Sequence, residues 1–255
     1  MRWWRGPLAS SLQLTIGTAL LLHALLLRDY LLLAVLAGAG LTLAIPALRR
    51  VTPTGTLRAA RGIGAGITIR ALLSGAYFGA EAFLPLGLQE LRGQSALSAG
   101  LGLSAGALTW VVGSFVQARW DADHRGQRAR SVAIGSGILL LGTGSIAVTV
   151  GFEMLPAWLA VAGWAIGGLG MGIAFNASTT DTLEQAPGSL QGRVSSSLQL
   201  AQTLATGVIA GIGGAAVAYA GASLAALQGA ILGIFALTAA FAVLSALLAC
   251  RLDPR

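Results

Sequence analysis

Apolar runs of about 20 residues follow one another along the whole chain, broken by short polar segments, and this rhythm predicts membrane-spanning helices. Eight such runs occupy 10–27, 30–48, 67–89, 96–118, 131–150, 157–180, 194–219 and 223–249. Each is long enough to cross a hydrocarbon core about 30 Å thick. In lipid the backbone has no water to bond, so each run must close its own hydrogen bonds as a helix. The runs do not alternate apolar and polar residues, which argues against a β-barrel. Only Arg28 and Asp29 separate the first two runs, so these should form a tight helical hairpin. A basic loop with Pro53 and Gly55 as helix breakers follows. The expected organisation is an amino-terminal segment 1–9, a two-helix hairpin 10–50, a basic loop 51–66, a six-helix bundle 67–249 and a tail 250–255. The fold class is all-α, a polytopic membrane protein with about eight transmembrane helices.

Composition sharpens this picture. Of 255 residues, 55% are apolar and 10% are charged, whereas soluble domains carry roughly 25% charge. Too few charges are present to cover the surface of a soluble protein of this size. The net charge is +7, and all 16 basic residues are arginine. Thirteen arginines lie on one side of the eight expected spans, and only Arg28 and Arg92 on the other; Arg70 lies inside a span. This positive-inside bias predicts a plasma-membrane protein with both termini in the cytoplasm. No basic-aromatic patch of the kind that binds nucleic acid is present. The basic, aromatic start at 1–5 is similar to a signal-peptide leader. The apolar run behind it is too long for one and lacks a small-residue cleavage site, so it reads as an anchor for the first span. The single cysteine, Cys250, excludes an internal disulfide and a cysteine-cluster metal site.

Glycine is abundant, with 36 residues. Several pairs stand four apart: Gly102 and Gly106, Gly163 and Gly167, Gly168 and Gly172, Gly207 and Gly211, Gly229 and Gly233. Small residues at this spacing let helices approach closely in lipid.

Polar residues inside spans are few and therefore informative. Arg70, Ser74, Tyr77 and Glu81 fall within about 60° of one another on a helix of 3.6 residues per turn, a stripe that should face a cavity. Glu81 lies near mid-span, where a charge costs roughly 2.5–3.5 kcal/mol even on the lenient insertion scale. A carboxyl that is neutral when buried and ionised when wetted is a proton carrier; the alternative is a protonated glutamate bonded to a neighbouring helix. Arg70 sits about one turn inside its end of the span. It either snorkels to the surface or serves as a gate or an anion contact. Some 16 Å of helix separates it from Glu81, too far for a salt bridge. Gln199 and Gln202 in the seventh run either line the same cavity or bind helices together, and Asn176 in the sixth, followed by Ser178, Thr179 and Thr180, is either a wet cavity wall or part of a helix approaching the cytoplasmic surface.

Arg61-Gly62-Ile63-Gly64-Ala65-Gly66 lacks the strand and the lysine of a phosphate-binding loop. His23 and His124 have no metal-ligand or triad company. Without a catalytic constellation, the expectation is no enzyme activity, no cofactor and no metal.

Gly79-Ala-Glu81-Ala-Phe-Leu-Pro85-Leu, Gly106-Ala-Leu-Thr-Trp110-Val-Val-Gly113-Ser, Gly163-Trp164-Ala-Ile-Gly167-Gly168-Leu-Gly170-Met171-Gly172 with Asn176, and Gln191-Gly192-Arg193-Val-Ser-Ser occur in that order. In order and content, these segments resemble the second six-helix half of a major facilitator superfamily transporter of the actinobacterial drug-exporter kind. The family's cytoplasmic signature, G-x-x-x-D-R-x-G-R-R, would begin at Gly113, but Gln117 occupies the aspartate position. Asp123, Arg125, Gly126 and Arg128 keep the motif's residue types at changed spacing. The resemblance implies that the hairpin is a linker pair and that the six helices are an MFS-type carboxyl-terminal bundle. It further implies proton-coupled export of a small hydrophobic or cationic compound, with protons, substrate and the lipid bilayer as partners. A whole transporter encloses its path between two bundles, so the first half would have to come from a second copy or a separate chain, or be lost by truncation. The alternative function is a non-transporting scaffold or regulator derived from a transporter.

Overall fold

The structure, a computed structural model, describes residues 6–253. The proposed anchor at 1–5, the last two residues and the side chains of Pro7 and Arg125 lie outside that description. Eight α-helices are present among the described residues: α1 Pro7–Ala24, α2 Tyr30–Val51, α3 Ile63–Leu86, α4 Ala96–Asp123, α5 Arg128–Gly151, α6 Trp158–Glu184, α7 Gln191–Ala220 and α8 Leu224–Leu248. Seven of them are long and apolar enough to cross a membrane. The eighth, α1, has 18 residues and so spans about 27 Å. It lies antiparallel against α2: Gln13 donates to the Leu43 carbonyl at 3.2 Å, and Gly17 faces the backbone of Gly40 and Ala44. The chain is an all-α polytopic membrane protein, as the hydropathy rhythm predicts.

Helices do not end where the apolar runs do. The α3 helix begins at Ile63, inside the expected loop 51–66. Its entry needs a left-handed turn, supplied by Gly55 at φ 92° and Gly62 at φ 78°, with Ala59 strained at φ 45°. The Gly62 N–H then donates to the Arg251 carbonyl at 2.8 Å, tying the start of the bundle to its end. The α4 and α6 helices run on to Asp123 and Glu184, past the apolar limits at 118 and 180. Their acidic residues thus stand on helical turns and not in loops.

Within the bundle, α3 is the central helix and α6 the most intimately packed. One face of α6 meets α5, where Gly142 abuts the Gly163 and Gly167 backbones. The other face meets α4, where a Cβ at Gly168 would stand 2.1 Å from the Gly106 carbonyl oxygen and one at Gly172 2.2 Å from that of Trp110. Backbone-to-backbone packing of this kind requires glycine. By contrast, Gly207, Gly229 and Gly233 have open space beside them, so the last of the expected pairs is not a packing seam. Gly211 alone of its pair packs, against Leu22 of α1.

Arg92 closes the far end of α5. Its guanidinium donates to the Thr149 carbonyl in the last turn of α5, which a helix terminus leaves without an intrahelical partner, and to the carbonyls of Phe152, Glu153 and Leu155 just beyond it.

Candidate functional site

The polar stripe of α3 is divided by the packing. Ser74 and Tyr77 are fully buried within the bundle, while Glu81 is half-buried beside the exposed Ala82. Pro85 stands four residues after Glu81 and has no N–H to offer its carbonyl. The helix is therefore locally loosened at the glutamate. The Glu81 carboxylate makes no hydrogen bond or ion pair with the described residues.

Arg70 does not reach the surface. It is 5% exposed, held between α6 and α7. Its Nη2 donates to Thr179 Oγ1 and its Nη1 to Gln202 Oε1 at 3.3 Å. The guanidinium stacks 3.6 Å above the Phe175 ring, a cation–π contact that desolvation strengthens. No carboxylate opposes it among the described residues, and its Nε has no partner.

From Phe175 a column of rings leads back toward Glu81. Phe175 meets Trp110 edge-on at 5.2 Å, Trp110 meets Tyr77 at 5.0 Å, and Tyr77 stacks on Trp164 at 4.4 Å. Phe78 closes the side, 5.7 Å from Trp110. Trp164 and Phe175 are eleven residues apart on α6, so the column extends about 16 Å. Its polar atoms are orphaned: Tyr77 Oη, Trp164 Nε1 and Ser74 Oγ are buried without a hydrogen-bond partner. Buried polar atoms are satisfied in the great majority of cases, so three along one column are an unmet polar demand in the centre of the bundle. Gly106 makes room there, since a Cβ on it would fall 2.3 Å from Trp164 Nε1 and 3.0 Å from Tyr77 Oη.

The other expected residues are distributed around this column. Gln202 joins it through Arg70. Asn176 is turned away toward α4, where its Nδ2 donates to Gln117 Oε1 and to the Ser114 carbonyl at 3.5 Å. Gln199 is exposed on α7. The aromatic members Phe78, Trp110, Trp164 and Phe175 were not expected.

The loop motif is reorganised as well. Gly113 lies against the Leu169 backbone, and Gly126 stands in the open. Asp123 is exposed at the end of α4, and Arg128 pairs elsewhere. Arg128, 6% exposed, spans Asp121 at 2.7 Å and Glu184 at 2.5 Å. It thereby clamps the end of α4, the start of α5 and the end of α6. Gln117, at the expected aspartate position, is buried and serves as the α4–α6 tie to Asn176.

These features define a class: a helical membrane protein with an aromatic and arginine-lined column inside one bundle. No known family model matches the chain, and no curated protein is detectably similar to it.

Proposed function

We propose that the chain forms one bundle of a major facilitator-type transporter of the plasma membrane, exporting a small hydrophobic or cationic compound in exchange for protons. The observation that carries this reading is the unpaired, half-buried Glu81 on a proline-loosened helix, one turn from an orphaned aromatic column. Ring faces and a carboxylate suit a hydrophobic cation. A carboxylate free of partners can change its proton occupancy without breaking a structural bond.

The exposed faces support the same reading. In lipid an exposed apolar face needs no partner, and that of α4, with Leu101, Leu108, Val112 and Phe115, is of this kind. The exposed face of α7 carries Ser195, Gln199 and Thr203, which lipid does not accept readily. A second six-helix bundle facing α7 would turn that polar stripe toward a water-filled path. The arginine distribution supports cytoplasmic termini. In that orientation, cysteines placed at Gly93 and Gly221 label from outside and those at Gly55 and Gly126 from inside.

The test is Glu81→Gln in liposomes under an imposed pH gradient. The amide keeps the shape of the protonated acid, so folding survives while proton-driven accumulation is lost. Glu81→Asp keeps part of the coupling. Full coupling in the Gln variant would reject the carrier role. A second reading, a non-transporting scaffold, draws on the complete burial of Ser74 and Tyr77. It predicts that Glu81→Gln changes nothing and that no substrate-dependent proton flux exists.

A further inference from the structure

The hairpin α1–α2 does not lie flush on the bundle. It is pinned at both ends. Arg193 of α7 donates to the Arg50 and Thr52 carbonyls at 3.3 Å, and at the other end Tyr219 Oη donates to the Leu27 carbonyl at 2.7 Å. Between the Arg193 pin and the contact of Leu22 with Gly211, the two units stand apart and leave a groove of about 480 Å³. Its walls are almost wholly apolar: Leu14, Ile45 and Leu48 from the hairpin, and Ala71, Leu204 and Val208 from the bundle.

Toward the Arg193 pin, on the same three helices, the chemistry reverses. Leu14 gives way to Ser10 and Ser11 on α1, Leu48 to Arg50 on α2, and Leu204 to Ser197 and Arg193 on α7, around a second cavity of about 720 Å³. No acidic residue lines it among the described residues. Arg50 and Arg193 are exposed there and have no carboxylate partner among the described residues. The hydroxyls of Ser196 and Ser197 are already turned to carbonyls of their own helix, Arg50 Nη1 donates to Gln13 Oε1 at 3.2 Å and Arg193 Nη2 to the two hairpin carbonyls, so the remaining N–H groups of the two guanidiniums supply the free donors.

We infer that this two-part cleft is a binding site for an anionic phospholipid. The phosphate sits between Arg50 and Arg193, and one acyl chain fills the apolar groove between hairpin and bundle. The arrangement matches such a lipid part by part. Guanidinium N–H donors suit a phosphate diester, juxtamembrane arginines select anionic headgroups, and the apolar slot begins directly beneath them. The lipid would wedge the hairpin against α7, where protein contact alone is sparse. This site is remote from Glu81 and independent of any transport activity.

Native mass spectrometry of the full chain, delipidated and titrated with dioleoyl phosphatidylglycerol or dioleoyl phosphatidylcholine, tests it. The chains are identical, so any difference reports the headgroup. The wild type should retain the anionic lipid about thirtyfold better, the scale expected of two arginines at a membrane surface. Arg50→Gln with Arg193→Gln should bring the two lipids within about twofold of each other, while the corresponding double Lys variant keeps most of the preference. Ala205→Phe, which fills the groove without touching the arginines, should lower retention of both lipids; it serves even if the Gln pair does not fold. Glycerol phosphate, the headgroup without chains, should not compete. Equal retention of the two lipids by the wild type, an undiminished preference in the Gln pair, retention unchanged by Ala205→Phe, or displacement by glycerol phosphate would each overturn the assignment.

Discussion

Replacing Arg128 with alanine removes four charge-assisted hydrogen bonds at once, but the two carboxylates it leaves behind are not equivalent. Nε and Nη2 reach Asp121 at 2.7 Å each, and Nη1 and Nη2 reach Glu184 at 2.5 and 3.0 Å. Asp121 is only 16% exposed, whereas Glu184 is 61% exposed. Without Arg128 the 61% exposed Glu184 stays in contact with water, and its share should not exceed the worth of a surface pair, about 0–1 kcal/mol. Asp121 stays largely desolvated beside the α4–α5 junction. Its loss is closer to that of a buried charge-assisted bond, about 1.5–3 kcal/mol. Arg128→Ala should therefore destabilise the bundle by about 2–4 kcal/mol, most of it through Asp121. Arg128→Lys keeps the charge but not the fork that bridges two carboxylates, and should fall between. Thermal or denaturant unfolding in mild detergent measures these values. A double-mutant cycle with Asp121→Ala and Glu184→Ala apportions them. The coupling to Asp121 should exceed that to Glu184 severalfold and persist in high salt, which screens only the exposed pair. Equal couplings, or an Arg128→Ala cost under about 1 kcal/mol, would refute the argument.

Two further predictions test the packing. Arg92→Ala strips the donors from four carbonyls at the end of α5, of which that of Phe152 keeps the Leu155 N–H and the others are left to water or to nothing; a loss of about 2–3 kcal/mol and faster amide exchange at the α5 terminus are expected in hydrogen-exchange mass spectrometry. Gly168→Ala drives a methyl into the Gly106 carbonyl and should cost about 1–3 kcal/mol, whereas Gly233→Ala meets open space and should be neutral or stabilising by up to about 1 kcal/mol; unfolding of the two variants side by side checks the contrast.

The number and order of the helices were legible because hydropathy along one helix is a local property. So was the stripe from Arg70 to Glu81, which needs only the period of α3. Three things were not local. Helix ends drifted because α4 and α6 continue past their apolar runs, where Arg128 satisfies the acidic turns that hydropathy assigns to loops. The partners of Arg70 were hidden because Thr179 and Gln202 lie 109 and 132 residues away. Proximity to the end of a span says nothing about whether a guanidinium turns outward to water or inward onto a ring. The aromatic column was missed because Trp and Phe in an apolar run count as hydrophobicity. One signal was available: Trp110 stands near the middle of α4, whereas tryptophan in membrane proteins gathers at the two interfaces. A mid-span tryptophan has an indole N–H to satisfy or a packing task to perform, and in this bundle Trp110 joins α3 to α6. The same reasoning separates the glycine pairs. Spacing alone made Gly168–Gly172 and Gly229–Gly233 equal candidates, and only the neighbour decides. The α6 pair lies against the α4 backbone, while the α8 pair faces open space.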